Sequence, residues 1–418
     1  MSDQLPTAWS KARLGNLCTI KTGKRDVNEG KCDGAYPFFT CAQKIYRIDS
    51  CPFDGESILV AGNGFFNVKY YNGKFDAYQR TYVLQNFAVD GKFLYRYIQF
   101  RLDDITKDNR GSTINYIRLG DLTDHVVSVA PLNEQRRIVA KLEKLLGKVD
   151  GCQQRLVKIP VLLKRFRQSV LAAGCSGQLT ADWREKNPNS QEWKTIGLVE
   201  LSKRIQIGPF GTQLHKADYV SNGVPLINPT HIQSSKIVHD PDFTVSKTKL
   251  RELENYVLQE NDIIMGRRGE MARCALVSEN ESGWLCGTGS LFVRPKSTVC
   301  PAFLFLVLRS PETKAFLEAE SKGTTMSNLN LEILKNVPVS ISSLPEQQEI
   351  VRRVESLFAL ADQIEARYAK AKAHVEKLTQ SILARAFRGE LVLQDPNDEP
   401  AEALLSRIHQ QRKDGKKA

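Results

Sequence analysis

Two stretches of the chain combine a glycine-rich turn with residue types that contact nucleic acids. In residues 55–64 and 260–269, an acidic turn leads into a short apolar run that ends at glycines. Lys and Arg neutralise phosphates, whereas Arg, Asn, Gln, Ser and Thr read base edges, and glycine lets a backbone approach closely. We therefore predict nucleic-acid contact, although a solvated turn is the alternative for any single residue. The candidates are Lys24, Arg25, Asn63, Lys69, Lys74 and Arg80 around the first stretch, and Lys216, Asn228, His231, Arg267, Arg268 and Arg273 around the second.

A second motif also occurs twice, as a cation followed by glycine and hydroxyl residues. It lies at residues 110–115 and 322–327. A cation, a backbone N–H and hydroxyls together suit a phosphate group. The predicted contact residues of this motif are Arg110, Ser112, Thr113, Lys322, Thr324 and Thr325.

The sequence contains no complete catalytic motif of the kinds that its fragments resemble. The phosphate-binding Gly-x-x-x-x-Gly-Lys-[Ser/Thr] motif does not occur. Residues 228–231 resemble the start of an adenine methyltransferase motif, but they lack the second proline and the aromatic that would stack on a flipped base. Nine cysteines without Cys-x-x-Cys indicate reduced thiols, and six scattered histidines form no ligand pair. We expect a chain that is not an enzyme and holds neither cofactor nor metal.

Charge and hydropathy favour a polyanionic partner. The 418 residues carry a net charge of +12, and residues 132–180 hold ten basic and three acidic side chains, a net charge of +7. Such a basic stretch suits DNA phosphates or an acidic partner, and equally a solvated face. No apolar run is long enough to cross a membrane, and the N-terminus lacks a signal peptide. The sequence therefore predicts a cytoplasmic protein without a membrane partner.

The chain contains an internal duplication. Residues 132–180 recur without gaps as residues 344–392, with 16 identities in 49 positions, where roughly three are expected for unrelated segments. Both copies carry apolar residues spaced alternately by four and three, which indicates paired coiled-coil helices; two separate amphipathic helices are the alternative. Pro160 predicts a kink or a restart of the helix in the first copy. The predicted seam consists of Ile138, Leu142, Leu145, Val149 and Leu156 in the first copy, and of Ile350, Val354, Leu357, Ile364, Leu378 and Ile382 in the second.

Each helical copy follows a module in which short strand-like runs, turns and one or two helix candidates alternate. This pattern predicts an α+β fold of two globular domains separated by a long antiparallel two-helix coiled coil, with an internal pseudo-twofold repeat. About 40 helical residues span roughly 60 Å, so we expect the domains at opposite ends of a rod. The predicted divisions are domains 1–131 and 193–343, helical regions 132–180 and 344–392, a linker 181–192 and a tail 393–418.

The order of module, helix, module and helix resembles the specificity subunit of type I restriction-modification enzymes. The helical phrases beginning at Leu132, Leu163 and Gln380 resemble that family, and the stretches 207–214 and 323–330 resemble its target-recognition domains. The resemblance covers nearly the whole chain. It implies two recognition domains that read the halves of a split double-stranded DNA sequence, with helices that fix the gap and dock two methyltransferase subunits.

The same resemblance implies partner chemistry and leaves rival functions open. Adenine methylation with S-adenosylmethionine, and DNA cleavage with ATP and Mg²⁺ by restriction subunits, would belong to the partners. The first domain departs from the second around residues 32–74, which predicts two different half-sites. The alternatives are a coiled-coil adaptor that binds proteins and an orphan specificity subunit that uses a host methyltransferase. A fused modification enzyme is disfavoured because methyltransferase motifs are missing.

Overall fold

The structure is a computed structural model. It describes residues 5–108, 114–188, 192–210, 213–267, 269–270, 272–321 and 329–414. The chain divides into two compact units. Unit 1 comprises residues 1–157 and 369–418, and unit 2 comprises residues 158–368.

The described residues form short strands and helices in alternation, as the sequence predicts for an α+β fold. The strands are β1 (Ser10–Arg13), β2 (Thr19–Thr22), β3 (Tyr36–Phe39), β4 (Tyr46–Ile48), β5 (Glu56–Ala61), β6 (Val68–Asn72), β7 (Asp76–Ala77), β8 (Thr81–Gln85), β9 (Val126–Val129), β10 (Lys194–Gly197), β11 (Ser202–Ile207), β12 (Tyr219–Ile227), β13 (Ile232–Gln233), β14 (Lys236–Ile237), β15 (Thr244–Val245), β16 (Ile263–Gly266), β17 (Cys274–Leu276), β18 (Leu285–Cys286), β19 (Ser290–Pro295) and β20 (Pro338–Ile341). The α-helices are α1 (Gly91–Phe100), α2 (Leu102–Thr106), α3 (Leu119–Thr123), α4 (Leu132–Leu156), α5 (Ile159–Cys175), α6 (Ala181–Lys186), α7 (Leu198–Leu201), α8 (Lys247–Glu252), α9 (Pro301–Leu308), α10 (Pro311–Glu320), α11 (Leu331–Lys335), α12 (Leu344–Phe387) and α13 (Ala401–Asp414).

Unit 1 is organised around a four-stranded sheet in the order β2-β8-β5-β6. Strand β5 carries the consecutive apolar residues Ile58, Leu59 and Val60, all buried, because the sheet is covered on both faces. A three-stranded sheet β4-β3-β7 and the antiparallel pair β1-β9 complete the unit. The main core joins the sheet to α1, α4 and the C-terminal end of α12.

Unit 2 repeats this arrangement strand for strand. Its sheet β11-β19-β16-β17 corresponds to β2-β8-β5-β6, β15-β12-β18 corresponds to β4-β3-β7, and β10-β20 corresponds to β1-β9. In each three-stranded sheet one pair is parallel, β3 with β7 and β12 with β18. The hairpin β13-β14 has no counterpart among the described strands of unit 1. The duplication seen in the helices therefore extends through both modules.

Pro160 interrupts the first helical copy, as predicted. Helix α4 ends at Leu156 and α5 begins at Ile159 with Pro160 in its first turn, where the missing N–H is tolerated. The second copy has no proline at the equivalent place, and α12 runs without a break for 44 residues. The segment 181–192, predicted as a linker, begins with the short helix α6.

Each module is attached to its helical copy through a buried carboxylate in the first helical turn. In unit 1 the indole Nε1 of Trp9 donates to Glu134 Oε2 at 3.0 Å. In unit 2 the indole Nε1 of Trp193 donates to Glu346 Oε1 at 3.1 Å. Both carboxylates are almost fully buried. Burial raises the pKa of Glu134, against the hydrogen bonds from Gln394 and Trp9 that lower it.

The glutamine that follows each of these glutamates makes a second pair of equivalent bonds. Gln135 accepts from the Asp90 backbone N–H at 2.8 Å and donates to the Ala130 carbonyl at 2.7 Å. Gln347 accepts from the Cys300 backbone N–H at 2.9 Å and donates to the Ser342 carbonyl at 2.8 Å. Asp90 and Cys300 are the N-caps of α1 and α9. The Glu-Gln pair therefore fixes a strand end and a second helix to the start of each long helix.

The C-terminal segment completes unit 1. Gln394 donates to Glu134 at 2.7 Å, Arg137 pairs with the buried Asp398, and the Ala401 N–H donates to the Ala8 carbonyl at 2.9 Å. In unit 2 the residues after α5 occupy the equivalent place, where Thr180 and Arg184 donate to Glu346. Each carboxylate thus receives hydrogen bonds from the segment that follows a long helix.

All nine cysteines are free thiols. Within the described ranges, no group of three or more His, Cys, Asp or Glu side chains is arranged to hold a metal ion. In the same part of the chain, none of the helices combines the length and hydropathy that a membrane crossing requires.

Replacing Trp9 with Phe should destabilise unit 1 by about 1–3 kcal/mol, because a buried carboxylate loses a donor. The loss should be larger at pH 7 than at about pH 4. The folded pKa of Glu134 is raised, so the carboxyl is protonated in both states below its unfolded pKa and is a buried carboxylate above its folded pKa. The penalty for losing the donor therefore grows as the pH rises through the folded pKa. Urea unfolding at both pH values measures the effect.

Trp183→Phe is the matched control. Trp183 is partly exposed in α6, and its indole has no hydrogen-bond acceptor among the described residues. This variant should unfold within about 0.5 kcal/mol of the unsubstituted chain. Equal losses in the two variants would contradict the role given to the Trp9–Glu134 bond.

Candidate nucleic-acid interface

The ends of three strands meet at one edge of the sheet in unit 1. The Gly23 N–H donates to the Thr81 carbonyl at 3.3 Å, and the Gly62 N–H donates to the Arg80 carbonyl at 2.8 Å. A Cβ at Gly23 would lie 1.8 Å from the Ala77 carbonyl oxygen, so only glycine fits this crossing. The turns that follow β2 and β5 and the turn that precedes β8 therefore form one surface, which we call edge 1. It brings together Lys24, Arg25, Asn63 and Arg80.

The segment 114–117, which is distant in sequence, is hydrogen-bonded to edge 1. The Gly64 N–H donates to the Asn115 carbonyl at 2.8 Å, and the Ile117 N–H donates to the Gly62 carbonyl at 3.0 Å. The predicted phosphate-contacting residues immediately before it, Arg110, Ser112 and Thr113, lie outside the described residues.

The cations of edge 1 differ in how free they are. Lys24 and Arg80 are exposed and have no ion-pair partner in the described ranges. Arg25 pairs with Glu29 at 3.0 Å and lies 3.5 Å from the buried Asp76. Two of these three side chains therefore present a full positive charge to solvent.

The amine of Lys69 makes internal hydrogen bonds instead of facing solvent at edge 1. Its Nζ donates to the Ala42 carbonyl at 2.8 Å, to the Thr40 carbonyl at 3.4 Å and to Asn67 Oδ1. Burial lowers the pKa of Lys69. The geometry makes Lys69 a support for the loop 40–42, and its predicted contact with nucleic acid stays a prediction.

Unit 2 forms the same edge with equivalent main-chain bonds. The Gly208 N–H donates to the Ser290 carbonyl at 2.9 Å, and the Arg267 N–H donates to the Gly289 carbonyl at 2.9 Å. The Leu329 N–H then donates to the Arg267 carbonyl at 3.0 Å, as Ile117 does to Gly62. A Cβ at Gly208 would lie 2.0 Å from the Gly287 carbonyl oxygen. We call this surface edge 2.

Two of the arginines predicted in unit 2 are held in place by backbone carbonyls. Arg267 Nε donates to the Leu329 carbonyl at 3.1 Å, and Arg273 donates to the Pro229 carbonyl at 3.2 Å. Asn228 is partly buried against Gly287, whereas Lys216 is exposed. Arg268, Lys322, Thr324 and Thr325 lie outside the described residues.

One sequence candidate is a core residue. His231 is 5% exposed, its Nδ1 lies 3.0 Å from the Leu226 carbonyl oxygen, and its ring packs edge-on against Phe243. The prediction of a surface contact by His231 is therefore wrong, because its turn folds the ring inward. Sequence alone did not distinguish this histidine from a surface one.

Sequence analysis missed an exposed aromatic residue on each edge. Phe65 is 75% exposed directly after Gly64, and Phe210 is 62% exposed two residues after Gly208. Apolar side chains at such places contact thymine methyl groups or enter base steps. The sequence contained one signal for these residues, namely a phenylalanine in a polar, glycine-containing turn, where a residue of the hydrophobic core is not expected.

The residues predicted to form the coiled-coil seam differ in burial. Ile138, Leu142, Val149, Ile350, Val354 and Ile382 are buried, and Leu145, Leu156, Leu357 and Leu378 are partly buried. Ile364, predicted to lie in the seam, is 39% exposed. Val139 and Leu146 are buried although the heptad pattern omits them, because α4 also packs against α1 of its own module.

The chain is similar to a known protein family over most of its length. The model of the family described as "Type I restriction modification DNA specificity domain" matches residues 6–160 and 191–373. The EcoDI type I restriction enzyme specificity subunit of Escherichia coli is 37% identical over 99% of this chain and 98% of its own. The EcoBI specificity subunit of Escherichia coli is 34% identical over 78% of this chain and 73% of its own.

Solved structures share the fold at low identity. A chain from a study of complex assembly and conformational transition of the type I R-M system superimposes with a TM-score of 0.66. It is 19% identical and covers 93% of this chain and 99% of its own. The HsdS subunit from Thermoanaerobacter tengcongensis has a TM-score of 0.58 and 19% identity, covering 93% of this chain and 98% of its own.

Replacing Lys69 with Met should lower the free energy of unfolding of unit 1 by about 1–3 kcal/mol, because two carbonyls and an amide oxygen lose their donor. Lys24→Met is the control, since the Lys24 amine has no internal acceptor in the described ranges, and its change should stay within about 0.5 kcal/mol. Thermal unfolding of both variants measures the difference. A stable Lys69→Met variant would show that the lysine does not support the loop.

Proposed function

This chain belongs to the type I restriction-modification DNA specificity family, and from that membership we propose that each unit reads one half of a split DNA sequence. The chain is the DNA-recognition subunit of a type I restriction-modification complex and assembles with methyltransferase subunits. The subunit itself is non-catalytic, because its partners carry the enzymatic activity. The observation that carries the split target is the duplicated edge, built by the same main-chain bonds in both units.

The two half-sites differ in sequence. Edge 1 and edge 2 share their backbone crossings, but equivalent positions carry different side chains. The Gly62 and Arg267 N–H groups make the same bond, and Lys24 after Gly23 corresponds to Pro209 after Gly208. Since base edges are read by side chains, a shared backbone with different side chains selects different bases.

The contacts divide into phosphate binding and base reading. Lys24, Arg80 and Lys216 are exposed cations that neutralise phosphates and set the register on the duplex. Asn63 and Asn228 offer amides for base edges, and Phe65 and Phe210 offer apolar contacts. Arg25 and Arg267 are held by neighbouring groups, which fixes the direction of their remaining donors.

The long helices act as the ruler between the half-sites. Residues of both helical copies enter the same apolar cores, Ile138 with Ile382 in unit 1 and Val170 with Ile350 in unit 2. Their pairing as an antiparallel coiled coil extends this packing along the helices. Helix α12 alone, with 44 residues, is roughly 65 Å long.

Exposed apolar residues on the helices provide a docking surface for the methyltransferase subunits. Leu162 and Leu360 are 59% and 49% exposed, and Ile364 is 39% exposed. One methyltransferase subunit for each helical copy gives two in the complex. S-adenosylmethionine would be bound by these partners, and ATP and Mg²⁺ by restriction subunits, in the cytoplasm.

Sequencing of N6-methyladenine in cells is the direct test. Cells that carry this gene and its neighbouring methyltransferase gene should show one split motif that is absent when this gene is deleted. Exchange of residues 193–343 for those of a relative should change one half of the motif only. Methylation of the same motif without this chain would contradict the proposal, and a motif made with a host methyltransferase would identify an orphan subunit.

A paired insertion tests the ruler. The chain passes between units after residues 157 and 368, so seven residues added at both points leave each unit intact. Seven helical residues add about 10.5 Å, which is about three base pairs at 3.4 Å each. Methylome sequencing should reveal a gap longer by about three base pairs with unchanged half-sites.

An insertion at only one of the two points is the matched control. It changes the register of one helix against the other, so modification should fall sharply. A changed half-site in the paired variant would contradict the separation of reading from spacing.

A further inference from the structure

Unit 2 contains a positively charged cavity beside edge 2 that the function proposed above does not use. It has a volume of about 500 Å³ and lies between α5, the hairpin β13-β14 and the start of α10. Four cationic side chains line it, Lys164, Arg273, Arg309 and Lys314, and Glu270 is the one carboxylate in its described lining. Glu270 lies 3.4 Å from Arg273 and 3.7 Å from Lys314. The cavity therefore retains an excess of positive charge.

Arg309, like Lys164, forms no ion pair among the described residues. It is partly buried, and its guanidinium carbon lies 5.2 Å from the ring centre of Phe305 and 5.7 Å from that of Phe358. Among the described residues no carboxylate lies within ion-pair distance of it. Burial lowers the pKa of Arg309, and the neighbouring Arg167 lowers it further. A partly buried cation among other cations is stabilised by an anion that enters the cavity.

The internal duplication provides a comparison within the same chain. Lys164 corresponds to Glu376 in the second helical copy, so the charge at this place is reversed in unit 1. Arg309 follows α9 as Arg101 follows α1, and Arg101 is neutralised by Asp104 at 2.8 Å. The surplus of positive charge is thus particular to unit 2 and is not required by the shared fold.

The lining suits a phosphate group. The lining residues include two arginines, two lysines, Gln168, Ser234 and Ser235, a set of donors that matches tetrahedral phosphate oxygens. Ser234 and Ser235 have positive φ values of 49° and 62°, so the hairpin turns tightly at the rim. Several donors of different kinds thus face one space.

The cavity adjoins the surface proposed to face DNA. Arg273 lines the cavity and donates to the Pro229 carbonyl beside Asn228, and its own carbonyl accepts from the Gly266 N–H. A duplex lying on edge 2 would pass its backbone over this space. We propose that the cavity binds a phosphate of the DNA backbone beside the second half-site and anchors unit 2 on the duplex.

The test uses the complex of this chain with its methyltransferase subunits. Its affinity for a duplex carrying the split motif is measured by fluorescence anisotropy across a range of salt concentrations. The variant Lys164→Gln/Lys314→Gln should lower the slope of log affinity against log salt by about 0.9 for one lost phosphate contact. Affinity should fall about equally for cognate and scrambled duplexes, because a phosphate carries no sequence information.

Lys203→Gln/Lys194→Gln is the matched control. Both lysines are exposed in unit 2 and neither lines the cavity. Thermal unfolding of both double variants checks that the fold is kept. An equal change of slope in the control would overturn the assignment to the cavity.

Neutral methylphosphonates placed one at a time along the duplex identify the source of the phosphate. With the unsubstituted complex, one or two positions beside the second half-site should weaken binding, and the cavity variant should be insensitive there. Stabilisation of the complex by inorganic phosphate, without any sensitive duplex position, would overturn the assignment to DNA.

The phosphate site rests on the proposed function, and different experimental results would contradict the site and the function. If the unsubstituted complex does not prefer the split motif, the proposed function fails. If it does, and the cavity variant keeps the unsubstituted salt slope, only the phosphate site fails. Loss of the methyltransferase subunits from the variant complex would overturn the site in favour of an acidic protein surface.

Discussion

Two buried carboxylates determine how each module is joined to its helix. Glu134 and Glu346 lie in the first turn of a long helix, and each accepts an indole N–H from the tryptophan that precedes the first strand of its module. A buried carboxylate is tolerated only when hydrogen bonds replace water. Those bonds come from the module and from the segment after a long helix, so three separate parts of the chain meet at one charge.

The same arrangement explains why the duplication is visible in the sequence at some places and not at others. The Glu-Gln pairs are identical because these side chains make equivalent hydrogen bonds to the module in both units. The edges are conserved in backbone but not in sequence, because their bonds run between main-chain groups and need glycine only where strands cross. The two copies are therefore similar in sequence where side chains make the hydrogen bonds, and different where main-chain groups make them.

Much of the fold was predictable from hydrophobic periodicity. The α+β modules, the helix after Pro160 and the strand in each glycine-rich stretch follow from local patterns. Interactions between distant residues were not predictable in this way. The heptad pattern could not show that Ile364 is exposed or that Leu146 is buried against its own module. The inward turn of His231 and the internal hydrogen bonds of Lys69 likewise depend on residues far away in sequence.

The main-chain construction of the edges has an evolutionary consequence. Because Gly23, Gly62 and Gly208 hold the strand ends through backbone bonds, an exposed side chain such as Lys24 or Phe65 contributes little to folding. Mutations at those positions are therefore not removed by selection against destabilising changes. The exposed side chains of the edges can therefore change while the scaffold stays intact.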